Sequence, residues 1–228
     1  MSFHRFYETW LNQLHRLLDQ HAEAPKRPTT AEQNHHLLQL VHKIMNHYAE
    51  FYRVKSLAAK HDVFYVYSAP WSTSLERSLH WIGGWRPTIV FHLFYTESGI
   101  LFDARMVDII RGVRTGDLGD LSTDQFHQIS DLQCETVHEE NVITGELSEW
   151  QDDPSDLLGV DLLVDAKMER LAAIIEKADD LRLRTVTRVV ELLTIQQAAE
   201  FLTAAAELQF GVREWGLDQD HHRHHGDA

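Results

Sequence analysis

The sequence predicts an all-α protein, a single antiparallel bundle of about six to eight helices joined by short connections. Apolar residues recur at three- and four-residue intervals through nearly the whole chain, the period of a buried helix face. Four Ser/Thr-x-x-Glu/Gln capping boxes, at Thr30, Thr73, Ser122 and Thr194, mark helix starts. No long segment alternates apolar and polar residues as a half-buried strand does.

The first helix carries Phe3, Phe6, Tyr7, Trp10, Leu14, Leu17 and Leu18 on one stripe, and Pro25 and Pro28 end it. Thr30 with Gln33 starts a second, whose inward face is Leu37, Leu40, Val41, Ile44, Tyr48, Phe51 and Tyr52. Val63–Tyr67 is strand-like in composition, but short and close to Pro70, so it reads as extended linker or helix end. Thr73 and Glu76 open a helix expected to end at Gly83-Gly84, and Pro87 starts the next, with Ile89, Val90, Leu93 and Phe94 inside. Between them Trp81, Gly83, Gly84, Trp85, Arg86 and Pro87 make a corner. The glycines are free to take positive φ, the proline is pre-set for a helix start, and an indole stands on each side.

Gly112–Leu121 is a Gly/Asp loop and the one hinge candidate. Ser122 and Gln125 lead a long helix to the neighbourhood of Trp150, closed by Asp152-Asp153-Pro154. A last pair is expected over Leu162–Leu193 and Thr194–Trp215. Ala198, Ala199, Leu202, Ala205 and Ala206 give the final helix a small-residue face. Residues 1–217 thus form one helical domain, and the polar, His-rich 218–228 is expected to be disordered.

Composition narrows the function classes. At 228 residues and 43% hydrophobic, with six Trp and ten Phe, the chain can bury a sizeable core. No run approaches the ~20 apolar residues of a membrane helix, and the N-terminus lacks a signal peptide's apolar stretch. The single cysteine, Cys134, suits a reducing compartment, the cytoplasm or nucleus. A net charge of -14 argues against direct nucleic-acid binding and leaves room for a basic protein partner. Arg182, Arg184 and Arg188, beside Asp179 and Asp180, read as a solvated helix face.

Sixteen histidines invite a metal or catalytic reading, and most fail on spacing. His35, His36, His42 and His47 share one helix without a common ligand geometry, and no HExxH, CxxC or calcium loop is present. His80 and His92 flank the corner and read as buried, hydrogen-bonded histidines. Cys134 has His138 one turn on but no orienting third group, and reads as a core cysteine. Gly112–Asp117 lacks the ending of a phosphate loop. No nucleophile–base–orienter set appears, so the chain is expected not to be an enzyme. His221 and His225 share a helix face at i,i+4, a spacing suited to a transition metal or an axial contact to haem.

Four segments carry a family resemblance: FHRFYETWLNQL at Phe3–Leu14, APWSTSLERSLHWIGGWRP at Ala69–Pro87, LSTDQFHQISDLQCETVHEE at Leu121–Glu140, and Ala178–Gly216 with its Leu-Thr-x-x-Gln-Ala-Ala-x-Phe-Leu run. Their order and spacing, over residues 3–216, resemble the plant Delay-of-Germination domain family, whose domain also forms the C-terminal part of TGA-type bZIP factors. No basic region or leucine heptad precedes Phe3, so the chain is more similar to the stand-alone seed proteins. The resemblance implies a non-enzymatic role in seed maturation, dormancy and abscisic-acid signalling, in nucleus and cytoplasm. It implies type 2C phosphatases or TGA-type factors as partners, homo- or hetero-dimers, and an association with haem but no required cofactor. The phosphatase-contacting segment falls on Phe3–Leu14. Phe6, Tyr7, Trp10 and Leu11 are the candidate anchors, against the alternative that this face simply packs into the bundle.

Overall fold

All four capping boxes close. The Thr30, Thr73 and Ser122 hydroxyls accept the backbone N–H three residues on, and the Gln33, Glu76 and Gln125 side chains reach back to the cap N–H. Thr194 and Gln197 do the same, at 3.3 and 3.0 Å. The computed structural model describes residues 2–22, 30–153 and 161–226, less the side chains of 161–163 and 224–226. Eight helices lie among them. They are α1 (Phe3–Ala22), α2 (Ala31–His61), α3 (Val63–Ser68), α4 (Ser74–Ser78), α5 (Ile89–Ile110), α6 (Thr123–Asp152), α7 (Asp161–Leu192) and α8 (Ile195–Gly226). The all-α bundle is as expected. The stops placed at Pro25, Pro28 and Pro154 lie outside the described residues.

Side-chain pairs fix the helix directions. Phe3 meets Phe51 while Trp10 meets His47, so α1 runs antiparallel to α2. Glu139 pairs with Arg184, Glu146 with Lys177 and Glu149 with Arg170, a falling register that makes α6 and α7 antiparallel as well. His21 bonds to Thr203 and His15 meets Phe210, which sets α8 antiparallel to α1. The core runs through the interior of this bundle, with Leu14, Leu40, Ile44, Phe91, Phe94, Ile129, Leu171 and Phe201 fully enclosed. Burying apolar side chains on this scale is the dominant favourable term in folding.

Val63–Ser68 is a helix, not an extended linker. Asp62 is its N-cap, accepting the Tyr65 N–H at 2.9 Å, and Ala69, at φ 48°, ends it. Val63 and Val66, three residues apart, are both buried, so tertiary packing overrides the β preference of VFYVY. The last helix also differs from expectation. It continues past 217 to Gly226, and Asp220 accepts the Ser74 N–H at 3.0 Å, tying the polar extension to α4.

The corner is tighter than a helix–turn–helix. Helix α4 ends at Ser78, well before the glycines, and α5 begins at Ile89, two residues after Pro87. Between them Trp81 N–H donates to Gly84 O at 2.6 Å and Gly84 N–H returns to Trp81 O at 3.3 Å. The positive φ values fall on Ile82 (49°) and Gly83 (67°), not on Gly84. Positive φ at both central residues is the signature of a type I′ turn, and a β-branched residue takes it at a steric cost. Ile82 is 5% exposed, so its burial in the core holds the turn.

Gly83→Val should therefore destabilise by about 2 kcal/mol or more, since its φ is left-handed and a Cβ would lie 3.1 Å from Val66 O. Gly84→Val acts differently, by pushing on the Arg182 guanidinium 3.1 Å away. Thermal melts check both, and unchanged midpoints would contradict this geometry.

Candidate functional site

Three charged residues from two helices meet behind this turn. Lys55 of α2 is 1% exposed and its Nζ donates to Asp179 Oδ1 of α7 at 2.8 Å. Arg182, one turn on from Asp179 and 3% exposed, donates to the same carboxylate oxygen. Its guanidinium also donates to Trp85 O at 2.5 Å, to Ile82 O at 3.1 Å and to Trp81 O. It lies 5.3 Å over the Trp81 ring. One side chain thus gives a donor to the Ile82 and Trp85 carbonyls and a second donor to Trp81 O, beside the Gly84 N–H. The solvated face expected at Arg182 is a buried hub instead.

A second set supports the N-terminal helix. Tyr7 donates to Glu76 Oε1 at 3.3 Å, and Arg213 of α8 pairs with Glu76 Oε2 at 3.3 Å with its guanidinium 5.1 Å over the Tyr7 ring. Beyond the turn, Glu140 of α6 accepts the Thr88 N–H at 2.7 Å and faces Arg86 at 3.7 Å. Trp81 and Pro87 are buried, Trp85 is half-buried and Arg86 is exposed.

Electrostatics follow from burial. Burial lowers Lys55 to about 8, with Asp179 opposing the shift and Arg182 adding to it. Burial, then the cations Lys55, Arg182 and Arg77, lowers His80 to about 4. His80 is therefore neutral in the folded chain where the unfolded chain would protonate it. Its stabilising contribution is full above the ordinary histidine value of 6.5 and is lost as pH falls towards about 4. Across that window wild type should lose about 1–3 kcal/mol that His80→Gln does not, read from urea melts at successive pH values. Parallel pH profiles would contradict the placement of His80.

Two cavities adjoin the hub. One of about 70 Å³ lies among Tyr7, Trp10, Tyr52, Lys55, His80 and Arg182. The other, about 100 Å³, is an apolar groove lined by Trp85, Pro87, Val90, Leu93, Val186 and Leu202. Tyr48, Tyr52, Trp85, Arg182 and Gln209 line both. The second is the more apolar of the two, and the shared residues set it beside the hub. The pair brings no nucleophile and base together.

The N-terminal anchors sit elsewhere than a partner surface requires. Tyr7 is 4%, Trp10 2% and Leu11 7% exposed, and only Phe6 is half-buried. Trp10 donates from Nε1 to His47 O at 2.9 Å and stacks on the His47 ring at 4.8 Å. An interface hot spot must be reachable in the free protein, so Tyr7, Trp10 and Leu11 are corrected to core residues. The exposed side of α1 is His4, Arg5, Glu8, Thr9 and Asn12.

His221 is exposed on α8, while the side chain of His225 lies outside the described residues. Among the described residues no group of three or more His, Cys, Asp and Glu is placed to hold a metal ion. Cys134 and His92 are exposed, against the buried roles expected of them, and His80 is half-buried.

Lys55, Asp179 and Arg182 were not recognised in the sequence as a unit, yet a signal is there. Lys55 continues the inward series Ile44, Tyr48, Phe51, and Arg182 lies on the stripe of Ile174, Ile175, Ala178 and Val189. A charge on an apolar stripe is the cue.

The profile of a family described as seed dormancy control, DOG1, matches residues 10–96. The chain is 30% identical to Protein DOG1-like 4 of Arabidopsis thaliana, across 94% of this chain and 92% of that protein. It is 26% identical to Protein DOG1-like 1 of the same plant, across 95% and 89%. Transcription factor TGA1 of Arabidopsis thaliana is 32% identical across 75% of this chain, which spans 44% of that factor's length.

Proposed function

Because the chain belongs to the DOG1 seed dormancy control family, we propose that it is a non-enzymatic regulator that acts by holding protein partners in seed maturation and dormancy. The observation that carries this reading is the near full-length match to a DOG1-like protein. The buried charges fit it too, since they are spent on the turn and leave the outer helix faces for contacts. The proposed partner is a type 2C phosphatase of the abscisic-acid pathway. The proposed contact is the exposed face of α1, around Arg5, Glu8 and Asn12, with half-buried Phe6 at its edge. A TGA-type factor is the alternative partner, through the domain it shares with this chain. The proposed localisation is nucleus and cytoplasm.

Titrating a purified type 2C phosphatase into the full chain by calorimetry tests this. Arg5→Glu/Glu8→Arg should weaken binding about tenfold or more, and the fold should be unchanged because exposed substitutions fall within about 0.5 kcal/mol. No binding by the wild type, or equal binding by the variant, contradicts the phosphatase reading.

A second reading is favoured by the groove beside the hub, a ligand sensor whose lipophilic ligand lies along Val90, Leu93 and Leu202 with any anionic end towards Lys55. Haem would be held differently. His221 is twelve residues beyond Gln209 on α8, roughly 18 Å along the axis, so an axial contact from His221 or His225 would lie outside that groove. Soret absorbance on haem titration, compared with His221→Ala/His225→Ala, separates the two: loss in the variant supports a haem contact at the C-terminal end, and no Soret band in the wild type removes it.

A further inference from the structure

We propose that the cleft between α5, the 112–121 loop and the start of α6 receives an amphipathic helix of a partner protein, one that carries Lys and Arg beside an apolar stripe. Seven of the sixteen large apolar side chains exposed among the described residues fall between Ile100 and Phe126. They are not scattered singly, and a concentration of this kind marks an interaction site. The cleft holds about 440 Å³. Phe102 of α5 and Phe126 of α6 line it at 44% and 49% exposed, and Tyr95 meets Phe126 at 5.6 Å, which joins the two helices there.

The spacing on α5 calls for a helix. Tyr95, Gly99, Phe102, Met106 and Ile109 recur at four-three-four-three, the seam of one helix packed lengthwise on another. Gly99, Phe102 and Met106 are exposed, so no helix among the described residues covers the middle of that seam. Glycine inside a helix destabilises it relative to alanine. Gly99 has no compensating contact within the chain, since a Cβ there would meet no atom within 4 Å. Gly119, across the cleft, is different: a Cβ would lie 2.7 Å from the α5 backbone at Leu101 and Phe102. The bare backbone at Gly99 leaves room for a second helix to approach closely.

The free charges at the cleft are acidic. Asp103 lines it, and Asp124 is exposed in the first turn of α6, two residues from Phe126. Neither makes an ion pair among the described residues, whereas the neighbouring cations are taken. Arg105 faces Asp117 at 3.6 Å and Arg114 bonds to Asp120 at 3.0 Å. Arg111, the α5 C-cap, is unpaired among the described residues but outside the lining of the cleft. A helix bearing Lys and Arg is therefore complementary, and an acidic one is repelled. A second copy of this chain, at a net charge of -14, is the poorer match. The cleft is separate from the exposed face of α1, so its occupancy is independent of the phosphatase contact.

Fluorescence anisotropy of a labelled synthetic helix of about 18 residues, leucines on one face and lysines on the other, titrated with the full chain tests it. Wild type should bind this helix, and bind the matching Leu/Glu helix at least about tenfold more weakly. Gly99→Leu should fill the cleft and weaken binding about tenfold or more. It should melt at or above wild type, since leucine is the better helix former. Asp103→Lys/Asp124→Lys should weaken binding about tenfold. Glu191→Lys/Glu214→Lys, the same charge change at exposed sites elsewhere, should bind as wild type does. No binding by wild type, full binding by Gly99→Leu, equal losses in the two lysine variants, or equal binding of the Leu/Glu helix each overturns the proposal. Sedimentation velocity separates the remaining occupant: self-association lost in Gly99→Leu gives the cleft to a second copy and overturns it too.

Discussion

Arg182→Ala should lower the unfolding free energy by about 3–5 kcal/mol, the range seen when one partner of a buried ion pair is removed. The loss has two sources. Asp179 keeps only Lys55 as a partner, and its Oδ2 already has no protein partner. The carbonyls of Ile82 and Trp85 lose the donors that the guanidinium supplies, while Trp81 O keeps the Gly84 N–H. A buried acceptor stripped of its donor carries its full desolvation cost. The melting midpoint should fall by roughly 10 °C for a chain of this size. Arg182→Lys should rescue little, because an ammonium cannot span three carbonyls and a carboxylate with a planar fork. Lys55→Met should cost less than Arg182→Ala, since the Arg182–Asp179 pair persists and one buried charge is gone. Equilibrium urea melts of the three variants check the order. Arg182→Ala melting like wild type would mean that the turn stands without its hub.

Trp10→Ala should be nearly as damaging, at about 3–5 kcal/mol, the usual cost of deleting a buried indole. Trp10 is 2% exposed and touches Tyr7, His47, Tyr48 and Phe51 as well as bonding to His47 O. Removing it leaves a cavity where α1 crosses α2. Loss of a partner in such a variant would therefore report unfolding of α1, not a missing contact. Near-wild-type denaturant stability for Trp10→Ala would contradict the burial of that face and restore Trp10 as a surface anchor.

Much of this was legible in the sequence, for local reasons. Capping boxes join residues three apart, so all four could be read directly and all four close. The inward face of α2 was equally legible, because period alone places Leu37, Leu40, Val41 and Ile44 on one side. Periodicity does not say what lies across from a face. The stripe of α1 was plain, but whether Tyr7 and Trp10 met the bundle or a partner depended on Phe51, His47 and Trp71, far away in the chain. Arg182 was misread for the same reason, since its partners are about a hundred residues distant in the turn it supports. The polar C-terminal extension is helical partly through a bond from Asp220 to Ser74, which no local pattern announces. The α3 segment failed in another way. Composition favoured a strand, whereas the Asp62 cap and the burial of Val63 and Val66 decided for a helix.

The most direct test of the central claim, that this bundle regulates by holding a protein partner on its outer faces, is a pull-down from maturing seed extract read by mass spectrometry. Wild type and the exposed-face variant Arg5→Glu/Glu8→Arg would be compared, both shown to be folded by circular dichroism. The expected result is a type 2C phosphatase recovered by wild type and depleted with the variant. Recovery of neither a phosphatase nor a TGA-type factor, or equal recovery of a phosphatase by both proteins, would contradict it.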